Sequence, residues 1–278
     1  MSERIQKALA NLGLGSRRTI ERWVVDGRIT IDGRVAKLGD QVHGRERVCV
    51  DGRPVKVTLV AAPRQSHQHL AYYKTGEARA SREVEGDEPV LDVPRPRRGR
   101  WIDVGALDPN SSGLLVLTTD GDLAFRLTRP ATVIERLYSV RLLGEPSMEQ
   151  IRELAEGVEL DEGRTRIESV DKAGGGGNNF WYHVVLREGR HRELRAAFAA
   201  VGLAVSRVIR IRFGPIELGK LRRGTSRPLN STEVEALYAL AGMTPPRVDS
   251  VKQARKVSQP SRPARRGDRR RPASHSRE

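Results

Sequence analysis

A single cysteine, Cys49, stands in 278 residues, which excludes an internal disulfide and fits a reducing compartment. No stretch approaches the roughly 18 consecutive apolar residues of a membrane span, and no apolar run follows the first basic residues. The expectation is a cytoplasmic chain, without a recognisable secretion signal and without a membrane partner. The six histidines (His43, His67, His69, His183, His191, His275) show no metal-ligand spacing, so no metal site is expected. No Gly-x-Ser-x-Gly elbow is present, and Gly174-Gly-Gly-Gly177 is followed by no Lys-Ser/Thr. Those glycines read as a flexible hairpin tip. Acidic residues fall short of basic ones, 35 against 50, leaving a formal charge of +15 and a pI of about 10.7. That balance suits a polyanionic partner and says little about fold.

The excess charge is unevenly placed. Residues 247–278 carry eleven Lys/Arg against three acidic residues, a net +8, leaving +7 for residues 1–246. This tail has several Pro and Ser and almost nothing apolar to offset chain entropy, so it reads as disordered. The remaining length holds one large domain or two ordinary ones. The composition divides it into a small module at 1–50, a linker at 51–68 with Pro54, Pro63 and a polar run Arg64–Gln68, and a larger domain at 69–246.

In the first module, Ile5, Ala8, Leu9 and Leu12 keep helical spacing up to Gly13. Ser16 reads as the N-cap of a second helix, with Ile20, Trp23 and Val24 inward and Gly27 as its stop. Ile29-Thr-Ile31 with the Asp32-Gly33 turn and Val35 makes a hairpin signal, and Val48-Cys-Val50 supplies a further strand. Arg17 and Arg18 occupy the first turn of the second helix, where the macrodipole disfavours cations by roughly 0.3–1 kcal/mol each. An anion bound there would reverse that penalty. Arg22 shares the face of Arg18, and Arg28 and Arg34 follow from the next strand and turn.

The larger domain intermingles strands and helices. Leu70–Lys74, Trp101–Val104, Leu114–Leu117, Tyr138–Leu142, Thr165–Val170, Phe180–Leu186 and Val205–Phe213 read as strands. Leu123 and Leu127 mark a short helix. Ser147 to Gln150 is a capping box ahead of a stripe Ile151, Leu154, Ala155, Val158. Leu194, Ala197, Phe198 and Val201 mark another helix, and Val234, Leu237, Tyr238 and Ala241 a last one behind an Asn230 or Ser231 cap. Strands adjacent in sequence and joined by short turns predict an α+β class with a mixed, mainly antiparallel sheet and packed helices.

Between two of those strands lies Gly105-Ala-Leu-Asp-Pro-Asn-Ser-Ser-Gly-Leu-Leu115, which sets an acidic residue, Asp108, in a glycine-bounded loop. It resembles the signature Gly-Arg-Leu-Asp-x-x-(Ser/Thr)-Ser-Gly-Leu-Leu of RNA pseudouridine synthases, meeting eight of nine fixed positions; Ala106 stands where the family has Arg. Arg136-Leu-Tyr-Ser-Val-Arg141 is similar to the family's basic-x-Tyr-x-Val strand, and Glu188-Gly-Arg-His-Arg-Glu-Leu-Arg195 to its Glu-Gly-Arg motif. Gly174–Tyr182, Leu70–Lys74 and Arg207–Gly214 resemble the large-subunit rRNA synthases of the B type, although Thr75-Gly76 follows Lys74 where the family usually has Pro. Ser16-Arg-Arg and Gly27-Arg-Ile-Thr-Ile-Asp-Gly33 resemble an S4 RNA-binding domain.

The resemblance implies an S4 module for RNA capture and a pseudouridine synthase fold isomerising a uridine of rRNA, large-subunit in its nearest branch. It implies Asp108 as the catalytic carboxylate, Tyr138 for stacking on the base, Leu194 as support, and Arg195 as the cation that keeps Asp108 ionised in a dry pocket. A carboxylate can act as a base at C2′ or as a nucleophile at C1′ or C6. No cofactor is implied, since isomerisation needs neither redox change nor external energy. RNA is the expected partner, contacted by Arg17, Arg18, Arg22, Arg28 and Arg34, and a monomer the expected state. Ala106 favours a second class, a weakened or inactive RNA-binding or ribosome-assembly factor of the same fold.

Overall fold

A computed structural model describes residues 2–57, 67–76, 93–129, 132–161, 163–177, 179–187 and 193–246. The basic tail, residues 58–66 of the linker and the Glu188–Arg192 part of the Glu-Gly-Arg motif lie outside the described residues. Among the described residues no helix is long and apolar enough to cross a membrane.

The first module contains β1 (Glu3–Arg4), α1 (Ile5–Asn11), α2 (Arg17–Val25), β2 (Ile29–Ile31), β3 (Arg34–Val35), β4 (Gln41–Val42), β5 (Val48–Val50) and β6 (Arg53–Val55). Ser16 caps α2, its side chain accepting from the Thr19 N–H. Ile5, Leu9, Ile20, Val24 and Ile29 are buried together with Val48 and Val57. The module therefore extends past the expected boundary at residue 50. Asp51 and Gly52 both take positive φ, 48° and 74°, and turn β5 back into β6 as Asp32 and Gly33 turn β2 into β3. Asp-Gly is the turn such hairpins demand. Pro54 obscured it, yet β6 is the edge of the order β3-β2-β5-β6, where a missing N–H is tolerated.

The larger body follows as β7 (His69–Lys74), β8 (Ile102–Val104), β9 (Ser112–Thr118), α3 (Gly121–Leu127), β10 (Arg136–Leu143), α4 (Met148–Glu156), β11 (Val158–Leu160), β12 (Gly163–Thr165), β13 (Ser169–Gly176), β14 (Asn179–Leu186), α5 (Glu193–Ala200), β15 (Ala204–Phe213), β16 (Ile216–Glu217), β17 (Ser226–Pro228) and α6 (Ser231–Leu240). One sheet runs β13-β14-β10-β15-β9-β7-β17, with β16 on β15 and β8 on β9. Its ladders are antiparallel except β15 with β9, which is parallel. The fold is α+β, as the pattern implies.

Residues of β15 alternate between two cores, as a period of two requires. Ile209, Ile211 and Phe213 join Val104, Leu114 and Val116 beneath α3 and α6. Val208 joins Val140, Leu142, Tyr182 and Val184 beneath α4 and α5. Capping boxes at Ser147/Gln150 and Asn230/Glu233 begin α4 and α6. Three expectations need correcting. Gly157 takes a φ of 105° and ends α4 before Val158, which begins the β11–β12 hairpin instead of extending the helix. Thr165–Val170 is accordingly two pieces, one in β12 and one in β13. Gly174, Gly175 and Gly176 are also not a loose tip: they pair with Trp181, Phe180 and Asn179. A Cβ on Gly175 would lie 2.4 Å from the Asn179 carbonyl oxygen, so close approach excludes larger residues there.

Candidate active site

Glycine geometry shapes the loop that carries Asp108. Gly105 leaves β8 with φ of 69°, and a Cβ there would lie 2.5 Å from the Phe213 ring. Gly113, in β9, has φ of 108°, and a Cβ there would lie 2.3 Å from the backbone oxygen of Arg210. Any L side chain would force those strands apart. Inside the loop, the Asp108 carboxylate is half-buried and accepts a short hydrogen bond from Ser111 Oγ, while Ser111 N–H donates to the Asp108 carbonyl at 3.1 Å. Ser111 is itself buried, so this side chain fixes the carboxylate's direction from below.

Two buried cations hold the loop's backbone. Lys74 ends β7 with only 4% of its surface exposed, and its ammonium donates to the carbonyls of Asp108 at 3.1 Å, Pro109 at 3.1 Å and Ser111 at 2.9 Å. Those three bonds exhaust its donors. Burial pulls the Lys74 pKa below its ordinary value, and the charge of Asp108 opposes that. Arg210, 1% exposed, donates from Nε to Leu114 O at 2.8 Å and from Nη2 to Gly105 O at 2.5 Å. Burial lowers its pKa and the neighbouring Tyr138 opposes the shift. A guanidinium starts so far above neutrality that it stays charged.

Strand register brings these groups into one row. Lys74 lies opposite Gly113, Gly113 opposite Arg210, and Arg210 opposite Tyr138. Because Gly113 has no side chain, the backbones of β9 and β15 approach closely in the middle of this row. Tyr138 packs half-buried against the core beneath α5.

Of the site residues expected from the sequence, Asp108 and Tyr138 thus belong to neighbouring parts of one surface. Leu194 is buried in the α5 core beside Phe198 and Val201. Arg195 departs from its expected role. Its guanidinium donates to Val205 O at 2.8 Å and Asn110 O at 3.4 Å, and its buried Nε has no hydrogen-bond partner among the described residues. Among the described residues no cation stands within ion-pair distance of the Asp108 carboxylate. Arg195 grips the loop's backbone at Asn110, because β15 supplies a carbonyl that anchors the other end of its guanidinium. Ala106 is half-buried in the same loop.

Lys74, Arg210 and Ser111 were missed as site residues. The signals available were a lysine closing an apolar strand, Leu-Ala-Tyr-Tyr-Lys74, and the alternation Val-Ile-Arg-Ile-Arg-Phe213, which points Arg210 to the same side as Val208.

The arginines of the first module divide by their partners. Arg17 reaches Asp122 of the larger body at 3.8 Å, and Lys7 reaches the same carboxylate at 3.6 Å. Arg18 is exposed on a cleft of about 1070 Å³ that also takes in Arg97, Arg98 and Arg100, at the end of β8 and β9 away from Asp108. Arg22 is exposed. Arg28 forms a bidentate pair with Asp51 at 2.8 and 2.7 Å and lies 4.9 Å over the Trp23 ring. Arg34 pairs with Asp40 at 2.8 Å. Hydrogen bonding by Arg28 lowers the Asp51 pKa; the Lys37 N–H and then Arg34 lower that of Asp40. Arg28 and Arg34 therefore hold their own hairpins, in addition to any contact with an outside anion.

Comparison with known proteins gives two family matches: the S4 domain over residues 3–48 and RNA pseudouridylate synthase over residues 73–200. The chain is 41% identical over 249 residues to a Pseudomonas aeruginosa protein named ribosomal large subunit pseudouridine synthase B, covering 88% of this chain and 64% of that protein's length. It is 43% identical over 250 residues to the protein of the same name from Escherichia coli strain K12, covering 88% of this chain and 85% of that one. A solved structure described as a pseudouridylate synthase shares the fold, with a TM-score of 0.57 and 24% identity over 84% of this chain and 99% of its own.

Proposed function

The chain belongs to the RNA pseudouridylate synthase family, and on that premise we propose that it isomerises a uridine of large-subunit rRNA to pseudouridine, using Asp108 and no cofactor. The observation that carries the reading is the placement of a half-buried carboxylate on a loop whose backbone is gripped by Lys74, Arg210 and Arg195. Such a loop can present one carboxylate at a fixed place without being reshaped by substrate.

The reaction breaks the N1–C1′ bond, turns the detached uracil and joins its C5 to C1′; C5 then loses its proton and N1 gains one, so that the product is an isomer. Asp108 serves either by removing a proton at C2′ or by adding to C1′ or C6. Tyr138 offers a ring face to the extruded base, a contact worth roughly 1–3 kcal/mol.

RNA enters on the basic surface of the S4 module, where Arg17, Arg18 and Arg22 supply the first contacts; the protein acts as a cytoplasmic monomer. Pseudouridine mapping of rRNA from cells with and without this gene tests the reading. Loss of one large-subunit pseudouridine is expected. An unchanged map would overturn the enzymatic reading in favour of an RNA-binding factor, the class that Ala106 supports.

A further inference from the structure

Arg210 is a fully buried guanidinium, and among the described residues no carboxylate stands within ion-pair distance of it. Burying a cation without a counter-ion is unfavourable, and an apolar residue such as Val208 fills the same side of β15 without that penalty. The hydrogen bonds of Arg210 indicate what its retention serves. Gly105 O and Leu114 O lie at the two ends of the loop that carries Asp108, and one planar guanidinium binds both. The Phe213 ring, 5.2 Å away, packs against the guanidinium and against Gly105, which fixes the plane of the fork. A lysine could satisfy one of these carbonyls, whereas the fork matches two at a set separation. Lys74 holds the middle of the same loop at three other carbonyls, so Arg210 sets its span and Lys74 its crest.

We infer that Arg210 is a positioning residue for the reaction: by tying Gly105 O to Leu114 O it fixes where Asp108 stands relative to Tyr138. The inference rests on Asp108 being the catalytic carboxylate. Arg210 reaches its effect through the loop and touches no reacting atom.

The test uses the full chain with Arg210→Met, Arg210→Lys and Asp108→Asn, each assayed for single-turnover pseudouridine formation on a large-subunit rRNA fragment and for RNA affinity. Displacing a reacting group by about 1 Å costs about 100-fold in rate, so the Met variant should lose about that much while its Kd for RNA stays within about threefold. The Lys variant keeps the charge and one bond and should recover about tenfold of that loss. If the Met variant does not fold, the Lys variant decides alone, with a rate about tenfold below wild type at unchanged Kd. A Lys variant at the wild-type rate would overturn the inference, as would rate and affinity falling together, which marks a merely structural role. Asp108→Asn separates the two readings. An active Asn variant overturns the assignment of Asp108, whereas an inactive one beside a fully active Arg210→Lys overturns the role of Arg210 alone.

Discussion

Replacing Lys74 by Met keeps the length of the side chain and removes the ammonium that binds three carbonyls of the catalytic loop. Two opposing terms set the effect on stability. Each carbonyl left without a partner costs about 1–3 kcal/mol if water cannot reach it. Against this, removing a buried ammonium relieves a desolvation penalty of several kcal/mol. Pro109 and Asn110 are exposed, so water can replace part of what the loop loses. The net destabilisation should be about 2 kcal/mol, a fall in Tm of about 4–8 °C for a body of this size. Activity should suffer far more, because the loop that carries Asp108 loses its anchor at three carbonyls. A single-turnover rate about 100-fold lower is expected, with RNA affinity nearly unchanged. The pH–rate profile adds a check. Burial holds the Lys74 pKa below 10.5, so in the wild type the ammonium is lost as pH rises through that lowered value and the rate should fall there. The Met variant should lack this alkaline fall. A Met variant within about threefold of the wild-type rate would refute the idea that Lys74 organises the loop.

Gly113→Ala should destabilise by about 3 kcal/mol or more or abolish folding, since its Cβ would meet the Arg210 backbone; Gly219→Ala, with open space around it, should cost only about 1–2 kcal/mol in the same denaturant titration. Burial, then the charge of His67, depress the His69 pKa to about 4 from 6.5, with Asp120 opposing. An unfolded chain takes up that proton near 6.5 and the folded one only near 4, so stability present above 6.5 is lost as pH falls through this window, by about 3 kcal/mol. Thermal unfolding of His69→Gln should show a flatter dependence there; an unchanged slope would assign the acid sensitivity elsewhere. Ala106→Arg should raise the single-turnover rate about tenfold or more if the missing arginine limits base extrusion, which costs a few kcal/mol. No gain would mean that another side chain supplies that function.

Local signals carried much of the fold into the sequence. Capping boxes at Ser147 and Asn230 and the Asp32-Gly33 turn act within a few residues, so they are visible without tertiary context. Asp51-Gly52 carries the same signal and was obscured by Pro54, whose cost depends on β6 being an edge strand. The short β11–β12 hairpin was hidden because Val158 continues the helical spacing of α4, and only the φ of Gly157 breaks it. Within the site, Asp108 and Tyr138 stand in motifs that can be read directly. Lys74 and Arg210 bind main-chain carbonyls, and every residue has one, so no complementary side chain marks them in the sequence. Arg195 shows the converse: a motif position suggested a carboxylate partner, and its guanidinium instead bridges Val205 O of β15 and Asn110 O of the loop.

The most direct measurement is pseudouridine formation by Asp108→Asn on a large-subunit rRNA fragment, with RNA affinity measured in parallel. Asparagine keeps the shape of the side chain and can still contact Ser111, but it has no carboxylate to act as base or nucleophile. Loss of all detectable product with affinity within about threefold of wild type is the result expected if Asp108 carries the chemistry. Activity within about tenfold of the parent would contradict it and remove the carboxylate from the reaction.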